Sequence, residues 1–364
     1  MTVVMTEAAM RFVGPDTFAA LTGRPVHTSL WERPGEVLHV RLAHETDVAV
    51  VAPATANSIA ALALGLADDL LTSTLLELEG PLVVAPAMHT GMWAAAATRR
   101  NVDTLRERGV AIVGPAEGVL AHGDEGLGRM AEPDAIVDAA VAASMPRDMA
   151  GRRVLITAGP THEPIDPVRF LGNRSTGKMG IAVARAALAR GASVTLVVGP
   201  DTVPAPAGAH VVPIVTAEEL RAAVLARFDD VDAVVMAAAV ADFRPKVVAD
   251  AKIKKDAGVP ELVLEPTPDL LRELSERRTG QILVGFAAET HDVEAEARRK
   301  LAGKGVDLLV ANVVGREGTG FGSDTNEAAI LAADGDDEPL RTMTKEHLAQ
   351  AICDRLVRLL ATPG

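Results

Sequence analysis

The sequence predicts an α/β protein with two doubly wound, mainly parallel sheets. Short β-branched runs alternate with Ala- and Leu-rich helical stretches along the 364 residues, which is typical of parallel sheets covered by helices. The length exceeds the roughly 100–200 residues of a usual single domain. A polar stretch containing Pro and Gly interrupts the pattern at 144–150. We therefore predict one domain over residues 1–143, a linker over 144–150 and a second domain over 151–364.

The predicted elements follow this alternation in order. The strands are short runs rich in Val, Ile, Leu and Ala, at 2–5, 47–52, 82–85, 153–157, 193–198, 233–237, 282–286 and 308–311. The helices are longer stretches with apolar residues at helical spacing, at 58–67, 99–108, 179–190, 218–226, 268–277, 293–302 and 346–361. The first strand of a doubly wound sheet normally lies centrally. The strand at 2–5 leads directly into a loop with the features of a ligand-binding loop, and no strand–helix unit precedes it. We therefore expect a further strand–helix unit upstream.

Composition narrows the class of function. A formal net charge of −13 argues against nucleic-acid binding, which requires a basic surface. The apolar runs are far shorter than the ~20 residues that span a bilayer, so no membrane segment is expected. The amino terminus has no basic stretch before its apolar residues, unlike a secretory signal. The single cysteine, Cys353, cannot form an internal disulfide, which fits the cytoplasm.

The densest motif in the second half runs from Ile156 to Gly180. A strand is followed by a loop rich in Gly and Pro, and a helix opens near Lys178. The backbone N–H groups at such a helix start form an anion site, which Gly177 and Gly180 would let a phosphate approach. The spacing of glycines before Lys178 resembles a Walker A loop. Met179 stands where that loop needs Ser or Thr for Mg²⁺, so a P-loop kinase is disfavoured.

Two further clusters follow predicted strands. Met236–Pro245 ends a strand in small residues and is followed by a lysine run beginning at Lys252. Val284–Thr290 is followed by Lys300 and Lys304, one helical turn apart on one face. Alone, such lysines usually form a solvated surface. All three clusters, however, lie at the carboxyl ends of predicted parallel strands, where such sheets bind ligands.

These motifs closely resemble the phosphopantothenate–cysteine ligase family, over about 151–360. The resemblance implies a Rossmann-like domain that activates 4'-phosphopantothenate with CTP as an acyl-cytidylate, which the amine of cysteine then attacks. It implies that Asn173 and Lys252 are catalytic, with Asn173 contacting the substrate carboxylate, and that Ser175, Gly177 and Gly180 hold nucleotide phosphates. The implied nucleotide site comprises Met236, Ala237, Ala238, Asp242, Lys252, Thr267, Pro268, Phe286, Lys300 and Lys304. Because no carboxylate cluster forms a metal cage, we expect Mg²⁺ to arrive with the nucleotide.

The motifs of the first half are 38–42, 50–57, 86–93 and 120–130. Together they resemble the flavin-dependent phosphopantothenoylcysteine decarboxylases, which have a flavodoxin-like fold and form trimers. The resemblance covers about 2–140. It implies that FMN is contacted by Thr6, Pro53, Thr55 and Asn57, that His39 is the active-site histidine, and that Met88 and His89 contact the substrate.

Two substitutions depart from that family's pattern. His89 replaces an asparagine that contacts the substrate carboxylate, and His122 replaces the cysteine that donates a proton. A histidine with a pKa near 6.5 can donate a proton at neutral pH, so we hypothesise that His122 replaces the cysteine in catalysis. The alternative is that His122 only fills the lid and this half-reaction is slow or lost.

Both halves together predict a bifunctional enzyme of coenzyme A biosynthesis. The alternative is a ligase whose first domain is a scaffold without catalysis or flavin; a purely regulatory flavin-fold subunit is disfavoured by the intact ligase motifs. Family analogy implies ligase dimers and decarboxylase trimers, hence a dodecamer. The ligase prediction depends on Asn173, Asp242, Lys252 and Lys300 converging around one triphosphate.

Overall fold

The computed structural model describes residues 1–32, 35–120, 123–254, 261–289, 293–314 and 322–361. The chain divides into two compact units, Met1–Met145 and Pro146–Gly364. The stretch at 144–150 is only partly a connection, because Met149 is fully buried in the core of the second unit. Asp148 also belongs to that unit through its ion pair with Arg190.

The first unit alternates short strands and helices. Its strands are β1 (Val3–Val4), β2 (Val26–His27), β3 (Ala49–Ala54), β4 (Leu82–Pro86), β5 (Ala111–Ile112), β6 (Ala116–Val119) and β7 (Glu125–Arg129). Its helices are α1 (Pro15–Thr22), α2 (Leu38–His44), α3 (Ala56–Leu64), α4 (Leu70–Glu77), α5 (Thr90–Ala94), α6 (Ala96–Glu107) and α7 (Pro133–Ser144), with a 3₁₀ turn at Ala9–Arg11.

Parallel pairing dominates this unit. β3, β4 and β5 form one parallel sheet, β1 and β2 form another parallel pair, and β6 and β7 form an antiparallel hairpin. The core on one face of the β3–β5 sheet contains Val51, Ile59, Trp93 and Val102, so α3, α5 and α6 cover that face. The expected upstream strand–helix unit remains a prediction.

The second unit contains one large sheet and two small hairpins. Its strands are β8 (Arg153–Ala158), β9 (His162–Pro164), β10 (Phe170–Gly172), β11 (Ser193–Val198), β12 (His210–Pro213), β13 (Ala233–Met236), β14 (Phe243–Pro245), β15 (Leu264–Pro266), β16 (Ile282–Glu289), β17 (Leu308–Val313), β18 (Thr325–Ala332) and β19 (Glu338–Thr344). Its helices are α8 (Lys178–Ala189), α9 (Ala217–Leu225), α10 (Leu270–Arg277), α11 (Val293–Lys304) and α12 (Lys345–Ala361), with a 3₁₀ turn at Phe228–Asp230.

The large sheet has the strand order β12-β11-β8-β13-β16-β17-β18-β19. Its first six strands are parallel, in the order 3-2-1-4-5-6 of a dinucleotide-binding sheet, and β18 and β19 add an antiparallel edge. The strand order reverses between β8 and β13. Ligands bind at this point in open α/β sheets, outside the carboxyl ends of the strands.

Side chains of the strands alternate between the two faces of the large sheet, and a hydrophobic core lies on each face. Val154 and Ile156 of β8 join a core with α8 and α12, whereas Leu155 joins the opposite core with α9, α10 and α11. Cys353 lies in the first of these cores, where burial raises the pKa of its thiol to about 12. The fold class predicted from the sequence is confirmed. In the described part of the chain, no helix combines the length and apolarity needed to cross a membrane.

Candidate functional site

A cleft of about 610 Å³ opens at the reversal of strand order in the second unit. It lies at the carboxyl ends of β8, β13, β16 and β17. Most of the ligase residues expected from the sequence border it, namely Asn173, Ser175, Gly177, Met236, Ala237, Ala238, Asp242, Thr267, Pro268, Phe286, Lys300 and Lys304. The structure therefore brings together residues from five separate stretches of the chain.

Hydroxyl groups at the end of β8 and in the loop after it hold the loop after β13 in place. Thr157 Oγ1 accepts a hydrogen bond from Ala238 N at 3.0 Å, and Thr161 Oγ1 accepts one from Ala241 N at 3.0 Å. Both threonines are fully buried. These bonds position the small-residue stretch that forms one wall of the cleft.

The side-chain amide of Asn173 joins the loop before α8 to this wall. Its Nδ2 donates to Ala239 O at 3.0 Å and to Val240 O at 3.1 Å. Two carbonyl acceptors identify this atom as the nitrogen of the amide. Both N–H bonds have protein acceptors, so Oδ1 remains available to a ligand. The arrangement differs from the expected contact with a substrate carboxylate, which would need an N–H donor.

The two glycines predicted to hold phosphate have different surroundings. Gly177 borders the cleft and caps α8 with a φ of 71°, a conformation that favours glycine. A Cβ there would meet Thr202 Cγ2 at 2.3 Å. Gly180 is absent from the cleft lining, and a Cβ there would meet Thr157 O and Ala158 Cβ at 2.7 Å. Its Cα therefore lies against β8, and its predicted contact with a nucleotide phosphate remains a prediction.

Another part of the cleft is built from the segment that leads into α10 and from α11. Thr267 N donates to Asp242 O at 3.0 Å, and Thr267 Oγ1 donates to Ala241 O at 2.6 Å. Lys300 Nζ lies 2.6 Å from Glu289 Oε1, and Lys304 Nζ pairs with Asp269 Oδ2. Both α11 lysines therefore have carboxylate partners that a bound polyphosphate would replace or share.

Several polar residues of the cleft were not predicted to have a role. Thr176 and Lys178 come from the α8 start, Asn312 from β17, Asn326 from β18, and Lys345 from the start of α12. The Gly177-Lys178 pair, which resembles part of a Walker A loop, could have indicated Lys178. Lys345 lies far along the chain, and no comparable motif surrounds it.

Lys252 lies outside the cleft lining. It is exposed, and its neighbour Ile253 is bonded to the turn after β9: Ile253 N donates to Asp166 Oδ2 at 3.2 Å, and Arg169 Nη2 donates to Ile253 O at 3.0 Å. Asp166 is buried; burial acts to raise the pKa of its carboxyl, but bonds from backbone N–H groups lower it overall. Of the four side chains expected to converge, Asn173, Asp242 and Lys300 share the cleft; the catalytic role of Lys252 remains a prediction.

The first unit places the predicted flavin residues at the end of β3, at the start of α3 and in the loop after β1. Thr55 Oγ1 caps α3 by accepting from Ser58 N at 3.2 Å, and Thr6 Oγ1 accepts from Ala9 N at 3.2 Å. Pro53 and Asn57 are exposed beside them. These groups fit a flavin phosphate: α3 presents its amino end, the Thr6 hydroxyl proton is free to donate, and the small end of β3 leaves room for a flat ring.

The predicted histidines of this unit are held differently. His39 lies half-buried on α2, and its imidazole has no hydrogen-bond partner in the described part of the chain. His89 caps α5; its Nδ1 accepts from Gly91 N, and its Nε2 lies 3.2 Å from Asp124 Oδ2. Met88 N donates to Gly128 O at 2.9 Å, joining this loop to the β6–β7 hairpin. His122 lies outside the described residues.

Comparison with known proteins decides the family. Residues 149–360 match the family model described as DNA/pantothenate metabolism flavoprotein C-terminal domain, and residues 1–145 match the model described as Flavoprotein. The coenzyme A biosynthesis bifunctional protein CoaBC of Bacillus subtilis is 46% identical over 368 residues, covering 100% of this chain and 91% of the relative. The chain belongs to the CoaBC family.

Other CoaBC proteins support this membership. The Mycobacterium tuberculosis protein of that name is 48% identical over 376 residues, covering 99% of this chain and 90% of its own length. A crystal structure described as the C-terminal domain of CoaBC superposes with a TM-score of 0.51 at 38% identity; it covers 59% of this chain and 98% of that one. The cleft of the second unit thus lies within the CoaBC half represented by that structure.

Proposed function

We propose that this protein ligates 4'-phosphopantothenate to cysteine with CTP and then decarboxylates the product with FMN. The observation that supports the first step is the single cleft shared by Asn173, Asp242 and Lys300 at the reversal of strand order. Four lysines and two aspartates line this cleft, a net positive lining within a chain of net charge −13. Such a lining attracts a polyphosphate and a second anionic substrate.

The ligation requires two displacements. A carboxylate oxygen of 4'-phosphopantothenate attacks the α-phosphorus of CTP, and pyrophosphate leaves. The amine of cysteine then attacks the acyl carbon, and CMP leaves with the electrons of the broken C–O bond. Cleft lysines offset the negative charge of the phosphates, and Asn173 keeps the loop before α8 against the loop after β13. Mg²⁺ carried by the nucleotide would neutralise further phosphate charge.

Asn173 is also placed to act on the second displacement. Its free Oδ1 can accept a hydrogen bond from the incoming amine, which would orient the nitrogen lone pair. The magnesium is proposed to arrive with the nucleotide.

The decarboxylation is assigned to the first unit. FMN, when bound, supplies two-electron oxidation and reduction. His39 presents an imidazole that has no hydrogen-bond partner among the described residues and can take the proton of the substrate thiol. His89 would bind the substrate carboxylate, and Asp124 Oδ2, 3.2 Å from its Nε2, would orient the ring. His122 is proposed as the acid that protonates the product carbon.

One experiment tests both activities. Purified protein is incubated with 4'-phosphopantothenate, cysteine and either CTP or ATP, and pyrophosphate, the amide product and carbon dioxide are measured. We expect all three with CTP, and the visible absorbance of an oxidised flavin in the preparation. No pyrophosphate with either nucleotide would refute the ligase.

The second candidate is a ligase whose first unit is a scaffold. It is favoured by the two histidine substitutions, at 89 and 122. A colourless preparation that forms amide but releases no carbon dioxide, even from supplied phosphopantothenoylcysteine and added FMN, would establish it. Wild-type carbon dioxide release by a His122→Ala variant would refute the acid role of His122. The expected dimer and trimer contacts are tested by measuring the mass of the assembly in solution.

A further inference from the structure

The first residues of α8 and α12 meet at one end of the cleft. Lys178 Nζ lies 2.6 Å from Asp324 Oδ1 and donates to Gly322 O at 3.0 Å. Lys345 Nζ donates to Asn326 Oδ1 at 2.5 Å, and its backbone N donates to Asp324 O at 3.0 Å. Two ammonium groups and the amino ends of two helices are therefore held by one short segment, 322–326, that leads into β18.

The two ammonium groups affect each other electrostatically. Lys345 is only 5% exposed, and burial lowers the pKa of its ammonium, as does the positive charge of Lys178. Asp324 lies against Lys178, which lowers the pKa of the aspartate. The Asp324 side chain is 87% exposed, so it is a solvated counterion that a stronger anion could displace. Like charges held close together favour binding of an anion between them.

Two of the four lysines that line the cleft lie at this end, and the other two lie on α11. Lys178 pairs with Asp324, and Asp324 and Glu346 partly offset the charge of Lys345. Because Asp324 is itself exposed, an incoming polyanion can replace it beside the two ammonium groups and the amino ends of α8 and α12.

A buried oxygen in the same cleft independently indicates a ligand. Oδ1 of Asn312, on β17, is buried and has no hydrogen-bond partner among the residues that the structure describes. Leaving a buried polar atom without a partner costs about 1–3 kcal/mol. Because this oxygen only accepts, it needs a donor, which a water molecule bound to a phosphate in the cleft would supply.

We infer that Lys178 and Lys345 form an anion subsite that receives the two terminal phosphates of the nucleotide and stabilises pyrophosphate as it leaves. The inference rests on the proposed ligase function. When the carboxylate oxygen bonds to the α-phosphorus, the bond from that phosphorus to the β-bridging oxygen breaks. Its electron pair stays on the bridging oxygen, so the leaving group gains one negative charge. Two fixed ammonium groups stabilise that charge more than the charge of the bound nucleotide.

The position of Lys178 favours assigning the subsite to the pyrophosphate part of the nucleotide, not to the phosphate group of 4'-phosphopantothenate. Lys178 directly follows Gly177, and both border the cleft with Ser175 and Thr176. A phosphate chain lying on this loop meets the first amides of α8 and then Lys178. The subsite thus continues the predicted phosphate loop, while Asn173 and the loop after β13 remain for the acyl end.

The test compares full-length variants Lys178→Met, Lys345→Met and Lys345→Arg with Arg358→Met as control. Arg358 is on α12 and 67% exposed, so this control removes a positive charge from the same helix outside the cleft. The measurements are CTP-dependent pyrophosphate release, its inhibition by added pyrophosphate, and the KM for 4'-phosphopantothenate. We expect each Met variant to lower kcat about 100-fold and to weaken pyrophosphate inhibition at least about tenfold. Lys345→Arg should restore most of both, and the KM should stay unchanged.

Unchanged pyrophosphate inhibition in both Met variants would overturn the subsite. So would a loss confined to the KM for 4'-phosphopantothenate, which would assign these lysines to the substrate phosphate. The Lys178 side chain is one-third exposed, so its replacement should disturb folding less than that of buried Lys345. If Lys345→Met fails to fold, Lys178→Met alone tests the subsite. If the wild type releases no pyrophosphate, the proposed function fails by itself. Calorimetric binding of inorganic pyrophosphate to wild type and Lys178→Met then tests the subsite directly, equal binding being the contrary result.

Discussion

Asn173 shows how the role of one residue depends on its local partners. The family resemblance implies contact with a carboxylate, whereas both N–H bonds of the amide are given to Ala239 O and Val240 O. The residue therefore positions two loops of the cleft and offers only an acceptor oxygen to a ligand. An aspartate at this position would place a carboxylate oxygen against two carbonyl oxygens, which repel it.

We expect Asn173→Asp to lower ligation at least about 100-fold, because the loop before α8 would move away from the loop after β13. Amide formation from 4'-phosphopantothenate and cysteine measures this loss. Carbon dioxide release from supplied phosphopantothenoylcysteine, measured on the same preparation, serves as the control and should not change. Equal loss of both activities would indicate general unfolding instead.

Arg190 is a buried charge whose partners come from both ends of the second unit. Its Nε donates to Asp148 Oδ1 at 2.8 Å, and its Nη1 lies 2.5 Å from Asp354 Oδ1. The guanidinium is 4% exposed, and its hydrogen bond lowers the pKa of the Asp148 carboxyl. Asp148 therefore stabilises the fold above its unfolded pKa of about 3.9, and this stability is lost as pH falls through the lower folded pKa.

We expect Arg190→Met to reduce the free energy of unfolding by about 2 kcal/mol at neutral pH, less than for a fully buried pair because both aspartates are partly exposed. The difference from wild type should shrink as pH falls below about 4, where the carboxyls protonate. Urea unfolding at several pH values measures it. Arg358→Met is the matched control and should change stability little, since its ion pair is exposed. A difference that stays constant down to low pH would contradict the ion-pair explanation.

At the scale of elements, the contact between α8 and β8 sets the position of the phosphate loop. Gly180 lets the helix lie against the strand, because a Cβ there would come within 2.7 Å of Thr157 O. Gly303, in α11, lies in open space, with nothing within 4 Å of an added Cβ. These two helical glycines thus provide a matched pair of substitutions.

We expect Gly180→Ala to destabilise the protein by about 1–3 kcal/mol through overpacking and to reduce ligation by moving the start of α8. Gly303→Ala should stabilise it by about 0.5–1 kcal/mol, since alanine favours the helix and meets no obstacle. Thermal unfolding and pyrophosphate release measure the two effects. If both variants behaved alike, the packing role of Gly180 would be wrong.

The antiparallel edge of the large sheet shows the limit of local patterns. Most other strands of this sheet followed from β-branched runs, and the bounds of β11 agree with the prediction. β18 contains the Ala-rich run Glu327–Leu331, a composition that also suits a helix, and it was not predicted. Pairing with β17 on one side and β19 on the other decides its conformation, because tertiary contacts override weak local preference.

At the scale of the whole molecule, the boundary between the two units falls between Met145 and Pro146. The second unit begins before Gly151, since Met149 is fully buried and Asp148 pairs with Arg190. All cleft residues lie within this unit. We therefore expect it to retain ligation when produced separately, provided that these two residues are kept.

A matched pair of fragments tests this expectation. The fragment 146–364 should release pyrophosphate with CTP, whereas 151–364 should be less stable by about 3 kcal/mol or more, because it loses a buried methionine and an ion pair. Thermal unfolding and pyrophosphate release compare them. Equal stability of the two fragments would show that the segment before Gly151 contributes nothing to the second unit.

The sequence by itself determined the α/β class, most strands of the parallel sheet, and the loops that carry functional residues, because period and composition are local properties. Only the tertiary structure decided that Lys345 borders the same cleft as Lys178, that Gly180 faces β8, and that the Asn173 amide is already occupied. These outcomes depend on how α8, α12 and the strands pack across long separations in the chain. Local patterns do not encode such contacts, since the partners meet only after the sheet and its covering helices have formed.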